Sequence, residues 1–198
     1  MKMIRYILAM LVTVVLVPDS AAAEDAAALR SGNALYRQGK YDQALEQYNE
    51  ALVSEPDSAV GYFNRAAALY RKKDYEAAID SFTKALLTDD PELEAQANYN
   101  IGNAKYRQGR LKEQTNLQEA VNLFRDAISY YKRAIELDRE NRKAKFNHEF
   151  VEKKIKHLLD QMKNKQQQQQ KQKRQQGEGE QEQKQEQAQQ KQQKEQPH

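Results

Sequence analysis

The sequence predicts an all-α fold: a solenoid of three helical hairpins, closed by a further helix and followed by a polar tail. Three observations carry this. A pattern of small and aromatic residues returns about every 34 residues. Seven Gly and four Pro in 198 residues are too few for the many turns of a β-sandwich or barrel. Between Arg142 and Met162, Phe146, Phe150, Ile155, Leu158, Leu159 and Met162 fall at helical spacing, as a closing helix requires.

The first 23 residues have the make-up of a secretory signal peptide. Lys2 and Arg5 precede an apolar run from Tyr6 to Val17, Pro18-Asp19 breaks it, and Ala21-Ala22-Ala23 supplies small residues before Glu24. A spanning helix needs about 20 apolar residues, so retention as an uncleaved anchor is the less economical alternative. Either way the body is expected outside the cytoplasm, periplasmic or at the outer face of the inner membrane. With no Cys, it needs no disulfides there.

Residues 24–141 form the repeat domain, in units 25–58, 59–92 and 95–141. Gly32, Tyr36, Tyr41, Ala44, Tyr48 and Ala51 return as Ala66, Tyr70, Tyr75, Ala78, Phe82 and Ala85, and Pro56 closes the first unit. In the third unit Gly102 to Gly109 nearly copies Gly32 to Gly39. The spacing has a mechanical cause. The first (A) and second (B) helices of a hairpin approach closely only where side chains are small, at Gly32, Ala66 and Gly102, answered by Ala44, Ala78 and Ala127. Aromatics fill the wider part of the seam. Gly39 and Gly109 suit the left-handed residue that ends a helix, with Lys73 in the same slot.

The second half of the third unit, Ala127, Tyr131 and Ala134, arrives about 13 residues late. Leu117, Ala120, Val121, Phe124, Ala127, Ile128, Tyr131, Ala134 and Ile135 make one continuous helical stripe, and Thr115 with Gln118, or Asn116 with Glu119, offers a capping start. The insertion is therefore expected to elongate helix B of the third hairpin at its front. Leu117 and Val121 would then project as a docking stripe, unless Leu111 and the connecting loop cover them.

Residues 142–165 read as the capping helix. Residues 166–198 are almost all Gln, Lys and Glu and can bury too little apolar surface to offset ordering, so a disordered tail is expected, with Gly177 and Gly179 stopping any continuation of the helix. Such a tail would serve solubility, tethering or weak contact with anionic surfaces.

Chemistry is sparse. Zero Cys excludes thiolate metal sites and a cysteine nucleophile. His148 and His157 lie nine apart and do not share a helix face at i, i+4, and His148 beside Glu149 and Glu152 reads as a solvated pair. There is no phosphate loop, no Gly-rich nucleotide turn and no Ser–His motif. With 32 Lys+Arg against 29 Asp+Glu, the charge lacks the basic excess of a nucleic-acid binder. The expectation is a non-enzymatic protein with no metal, cofactor, small-molecule substrate or nucleic acid. Its binding surface would be the concave face, where the A helices present Leu29, Asn33, Tyr36 and Arg37, then Phe63, Asn64, Ala67, Tyr70 and Arg71, then Tyr99, Asn100, Asn103, Tyr106 and Arg107. Asn pairs with the amides of an extended peptide, and Tyr supplies contact area at small entropy cost.

The order of small residue, aromatic, Ala-x3-aromatic and Pro at this period resembles the tetratricopeptide repeat family. That resemblance implies a protein-interaction scaffold holding a peptide in its groove. Members that clamp a C-terminal carboxylate resemble one another in two Asn and three basic positions. Asn33 and Asn64 match the Asn positions, but the basic ones hold Leu29, Gln96 and Asn100, so a chaperone-tail clamp is not expected. The leader, Arg30 to Tyr36, the Gly-Asn-x-x-Tyr-Arg-Gln-Gly echo, and Lys145-Phe146-Asn147-His148-Glu149 before a Gln-rich tail together resemble the exported Bat (Bacteroides-aerotolerance) repeat proteins, BatC-like. This resemblance implies an envelope partner of membrane-anchored von Willebrand A-type proteins in a MoxR-linked stress-tolerance system. Two alternatives remain: a periplasmic adaptor for cell-wall or outer-membrane assembly, and a membrane-surface binder using the last helix and tail.

Overall fold

In the computed structural model, which describes residues 20–194, seven helices follow one another: α1 (Ser20–Arg37), α2 (Tyr41–Ser54), α3 (Ala59–Arg71), α4 (Tyr75–Ala85), α5 (Pro91–Lys112), α6 (Leu117–Leu137) and α7 (Arg142–Lys194). Each packs chiefly on the next, so α1–α2, α3–α4 and α5–α6 are stacked hairpins and α7 lies on α6. The expected leader lies outside the described residues up to residue 19; its last four residues open α1.

Local chemistry sets the helix ends. Side chains of Ser58, Asp74, Asp90 and Asn141 accept the backbone N–H of Gly61, Ala77, Glu92 and Ala144. Asn116 accepts from Glu119 N at 3.1 Å while its amide donates to the Glu119 carboxylate, so this pair is the cap that starts α6. Gly39 (φ +77°) and Lys73 (φ +68°) both take left-handed conformations. Behind each, the N–H groups of Lys40 and Asp74 reach back to Leu35 and Leu69, satisfying the last carbonyls of α1 and α3.

The small-residue seams are close. A Cβ on Gly32 would lie 2.5 Å from the Tyr48 ring, and one on Gly102 would lie 2.6 Å from Tyr131 and 3.2 Å from the Ala127 carbonyl. Ala44, Ala78 and Ala127 are wholly buried. The interior runs through three clusters, around Tyr48, around Phe82 and Ile101, and around Val121, Phe124 and Tyr131. At the position that holds Ile101 in the third unit, the second unit has Arg65. Its guanidinium bonds Ser81 Oγ at 2.6 Å and Asn49 at 2.8 Å, which pairs the buried serine instead of filling an apolar slot.

The expected elongation of the third hairpin's second helix is present, α6 beginning two turns before Phe124, and α5 is lengthened as well, continuing about one turn past Arg107. Gly109 is accordingly buried inside α5, where a Cβ would meet Phe124 at 2.6 Å; it permits a close crossing and ends nothing.

The docking stripe does not exist as a surface. Val121 is fully buried and Leu117 half-buried, because α7 lays Val151, Ile155, Leu158 and Met162 across the lengthened front of α6. Leu111, the residue expected to cover them, is itself 67% exposed. Lys154 bridges to Glu113 at 2.9 Å and fastens α7 to the end of α5.

Beyond residue 165, α7 continues to Lys194, and Gly177 and Gly179 do not stop it as expected. Gln, Lys and Glu are strong helix formers, and two isolated glycines cost only about 1 kcal/mol each.

Candidate functional site

The A helices α1, α3 and α5 adjoin along one side of the stack, and the first turns of α7 continue that row. Two depressions lie along it. One, of about 440 Å³, is bordered by Asn33, Tyr36 and Arg37 of α1, Phe63, Asn64, Ala67, Tyr70 and Arg71 of α3, and Asn100 of α5, over a floor of Tyr48 and Phe82. The other, of about 190 Å³, lies between α5 and α7, where Asn103, Tyr106 and Arg107 face Phe146, Asn147 and Phe150. Tyr70 borders both.

The Arg–Tyr row holds neighbouring hairpins together. Arg71 of the second hairpin stacks over Tyr41 at 4.9 Å and Tyr36 at 5.9 Å in the first. Arg107 of the third donates to the Tyr70 hydroxyl of the second at 3.3 Å, a bond that holds the guanidinium's pKa above its usual value. Tyr36 and Tyr70 each meet the first aromatic of their own B helix, Tyr41 and Tyr75, edge-on at 5.4 Å. These contacts hold the aromatic walls in place before any ligand arrives.

The asparagines divide their duties. Oδ1 of Asn33 accepts from the Tyr48 hydroxyl at 2.8 Å, and Oδ1 of Asn103 from Tyr131 at 2.9 Å and from the Asn147 amide at 3.0 Å. These bonds tie the two asparagines into the fold and fix the orientation of their amides. Burial pushes the Tyr48 phenol up to about 12 and raises that of Tyr131 still further.

Two similarity models, each described as tetratricopeptide repeat, match residues 29–93 and 111–145. The chain belongs to the tetratricopeptide repeat family. Among solved structures, the first tetratricopeptide domain of Spaghetti (RPAP3), bound to the HSP90 peptide SRMEEVD, is 22% identical with a TM-score of 0.57, covering 67% of this chain and 94% of that one. The Arabidopsis OM64 domain is 24% identical with a TM-score of 0.55, covering 67% and 98%. The Sgt2 domain from Aspergillus fumigatus is 22% identical with a TM-score of 0.57, covering 69% and 82%. At these identities the likeness is one of fold. No curated protein matches the chain.

Of the residues expected in the groove of this tetratricopeptide repeat protein, most border one of the two depressions. Leu29 and Tyr99 do not. Leu29 packs on the cluster of Ala44, Tyr48 and Ala68, and Tyr99 packs beside the Tyr131 ring and accepts a long bond from Asn147. The cations of the larger depression are Arg37 and Arg71, further along their helices than the positions held by Leu29, Gln96 and Asn100. Phe146, Asn147 and Phe150 were not foreseen as groove residues. The available signal was register: Phe146 and Phe150 sit one position off the line of Val151, Ile155 and Leu158 that seals the core. Among the described residues no cluster of three or more His, Asp or Glu could hold a metal ion, and His148 pairs with Glu152 at 3.6 Å.

Proposed function

We propose that the chain is a scaffold that holds an extended peptide segment of a partner protein in the groove of α1, α3 and α5. One observation carries this reading: the B helices bury Tyr48, Phe82, Phe124 and Tyr131, while the A helices keep Phe63, Tyr70 and Tyr106 only half-covered around two depressions. The RPAP3 domain holding an HSP90 peptide supports a peptide as the occupant. Nothing in the groove has the make-up of a catalytic set, so the role is recognition, not chemistry.

The Bat-like sequence features support an envelope role for this scaffold, in which the residue 1–23 leader directs export and the partners are von Willebrand A-type membrane proteins of a stress-tolerance system. The test is crosslinking in intact cells from a photoreactive residue at position 63 or 106, followed by mass spectrometry and cell fractionation. Recovery of a membrane protein with a von Willebrand A-type domain supports the reading. Recovery of cell-wall or outer-membrane assembly proteins moves the scaffold to that pathway, and a cytoplasmic location with residues 1–23 intact removes the envelope assignment.

A further inference from the structure

Charge is divided between the two helices of each hairpin. No Asp or Glu occurs in residues 26–37, 59–71 or 95–112; the carboxylates of the A helices, Glu24 and Asp25 of α1 and Glu92 and Glu94 of α5, all lie ahead of these stretches. The B helices carry Asp42, Glu46, Glu50, Glu76, Asp80, Glu119, Asp126 and Glu136. Neither groove depression has a carboxylate on its border, and Arg37, Arg71 and Arg107 stand along them at one per hairpin. The cleft on the other side, beside α4, α5 and α6, is mixed, with Asp74, Glu76, Asp80 and Glu119 alongside Lys73, Lys105 and Lys112. A net charge of only +3 thus hides a groove whose borders carry Arg and no carboxylate.

At the α7 end of the groove, Phe146 and Phe150 stack with centroids 6.2 Å apart and remain 67% and 45% exposed. Phe150 meets Tyr106 edge-on at 6.0 Å. Lys143 lies three residues before Phe146 and Lys153 three after Phe150, with Glu149 three after Phe146. An apolar socket therefore lies beside Arg107.

Resting on the peptide-groove reading above, we infer that the partner segment is acidic and carries one large apolar side chain. That side chain seats against Tyr106, Phe146 and Phe150, and flanking Asp or Glu side chains pair with Arg107 and Arg71. Selectivity then comes from side-chain carboxylates along the segment and from the α7 socket, not from a terminal carboxylate.

The test pans a peptide library of fixed length, randomised among Asp, Asn, Lys, Phe and Ser, against the full chain and measures selected peptides by fluorescence anisotropy. Retained peptides pair Phe with Asp. Exchanging their Asp for Asn weakens binding about tenfold, as loss of a charge-assisted contact does, and binding weakens with added salt. Arg107→Gln loses the discrimination between Asp and Asn. Phe146→Ser with Phe150→Ser, both at exposed positions, loses the selection for Phe and keeps that for Asp. Selection of Lys-rich or uncharged peptides, or unchanged selection in Arg107→Gln, overturns this inference and leaves the peptide-groove reading standing. Retention of no peptide overturns both. Self-association in sedimentation velocity that the Phe146/Phe150 variant abolishes would assign the socket to a second copy and also overturn it.

Discussion

The Tyr131 hydroxyl donates to Oδ1 of Asn103 across the third hairpin at 2.9 Å. Tyr48 and Asn33 repeat the bond in the first hairpin, while the second holds Phe82 and Ala67 at the same positions and lacks donor and acceptor together. A buried hydroxyl without a partner is costly, so the two groups come and go as a pair. Tyr131→Phe is expected to cost about 1 kcal/mol, since Asn103 keeps its bond to Asn147, and Asn103→Ala about 2 kcal/mol by stranding the phenol. The double variant, which copies the second hairpin, is expected to cost less than the sum. Urea midpoints at constant m-value measure all three.

The raised phenol of Tyr48 gives a pH dependence with a definite sign. In the unfolded chain it ionises near 10.0, and in the fold only near 12 because burial opposes the phenolate. Both states are protonated below pH 10, so its contribution is intact there. Between about 10 and 12 the unfolded state releases its proton first, and stability falls as pH rises. Tyr48→Phe is expected to flatten this loss, read from urea midpoints across the range, and to remove a component near pH 12 from the ultraviolet phenolate titration.

Two backbone positions with opposite requirements separate space from conformation. Gly102→Ala drives a methyl to 2.6 Å from the Tyr131 ring and 3.2 Å from the Ala127 carbonyl, and is expected to cost about 2–3 kcal/mol. Lys73→Gly relieves a left-handed φ of 68° at an exposed position and is expected to stabilise by about 1 kcal/mol. A Lys73→Gly variant no more stable than the parent contradicts the turn geometry.

The α6 front is core, not surface. Val121→Ser is expected to lose about 2–4 kcal/mol through a cavity and a buried hydroxyl, and Leu117→Ser distinctly less, since Leu117 is only half-buried. Truncation after Lys165 is expected to leave the thermal midpoint unchanged while lowering the far-ultraviolet helix signal, because residues 163–173 are exposed. Truncation after Asn141 exposes Val121, Phe124 and Tyr131 together and is expected to abolish the cooperative transition.

What the sequence determined by itself is the hairpin stack. Gly32, Ala66 and Gly102 opposite an aromatic at each seam are local facts of size and period, and any chain with them must pair its helices in this way. The groove row on α1, α3 and α5 was legible for the same reason. Only the tertiary structure decided where the last helix lies, and that decided most of the rest. Because α7 crosses the lengthened front of α6, Val121 became interior, Asn103 acquired Asn147, and Phe146 with Phe150 turned toward Arg107. Helical spacing says which residues share a face; it does not say whether a face some thirty residues away in the chain will meet it. The same limit applies to the insertion, whose 13 or so extra residues fit one longer helix or two until Gly109 is seen pressed against Phe124.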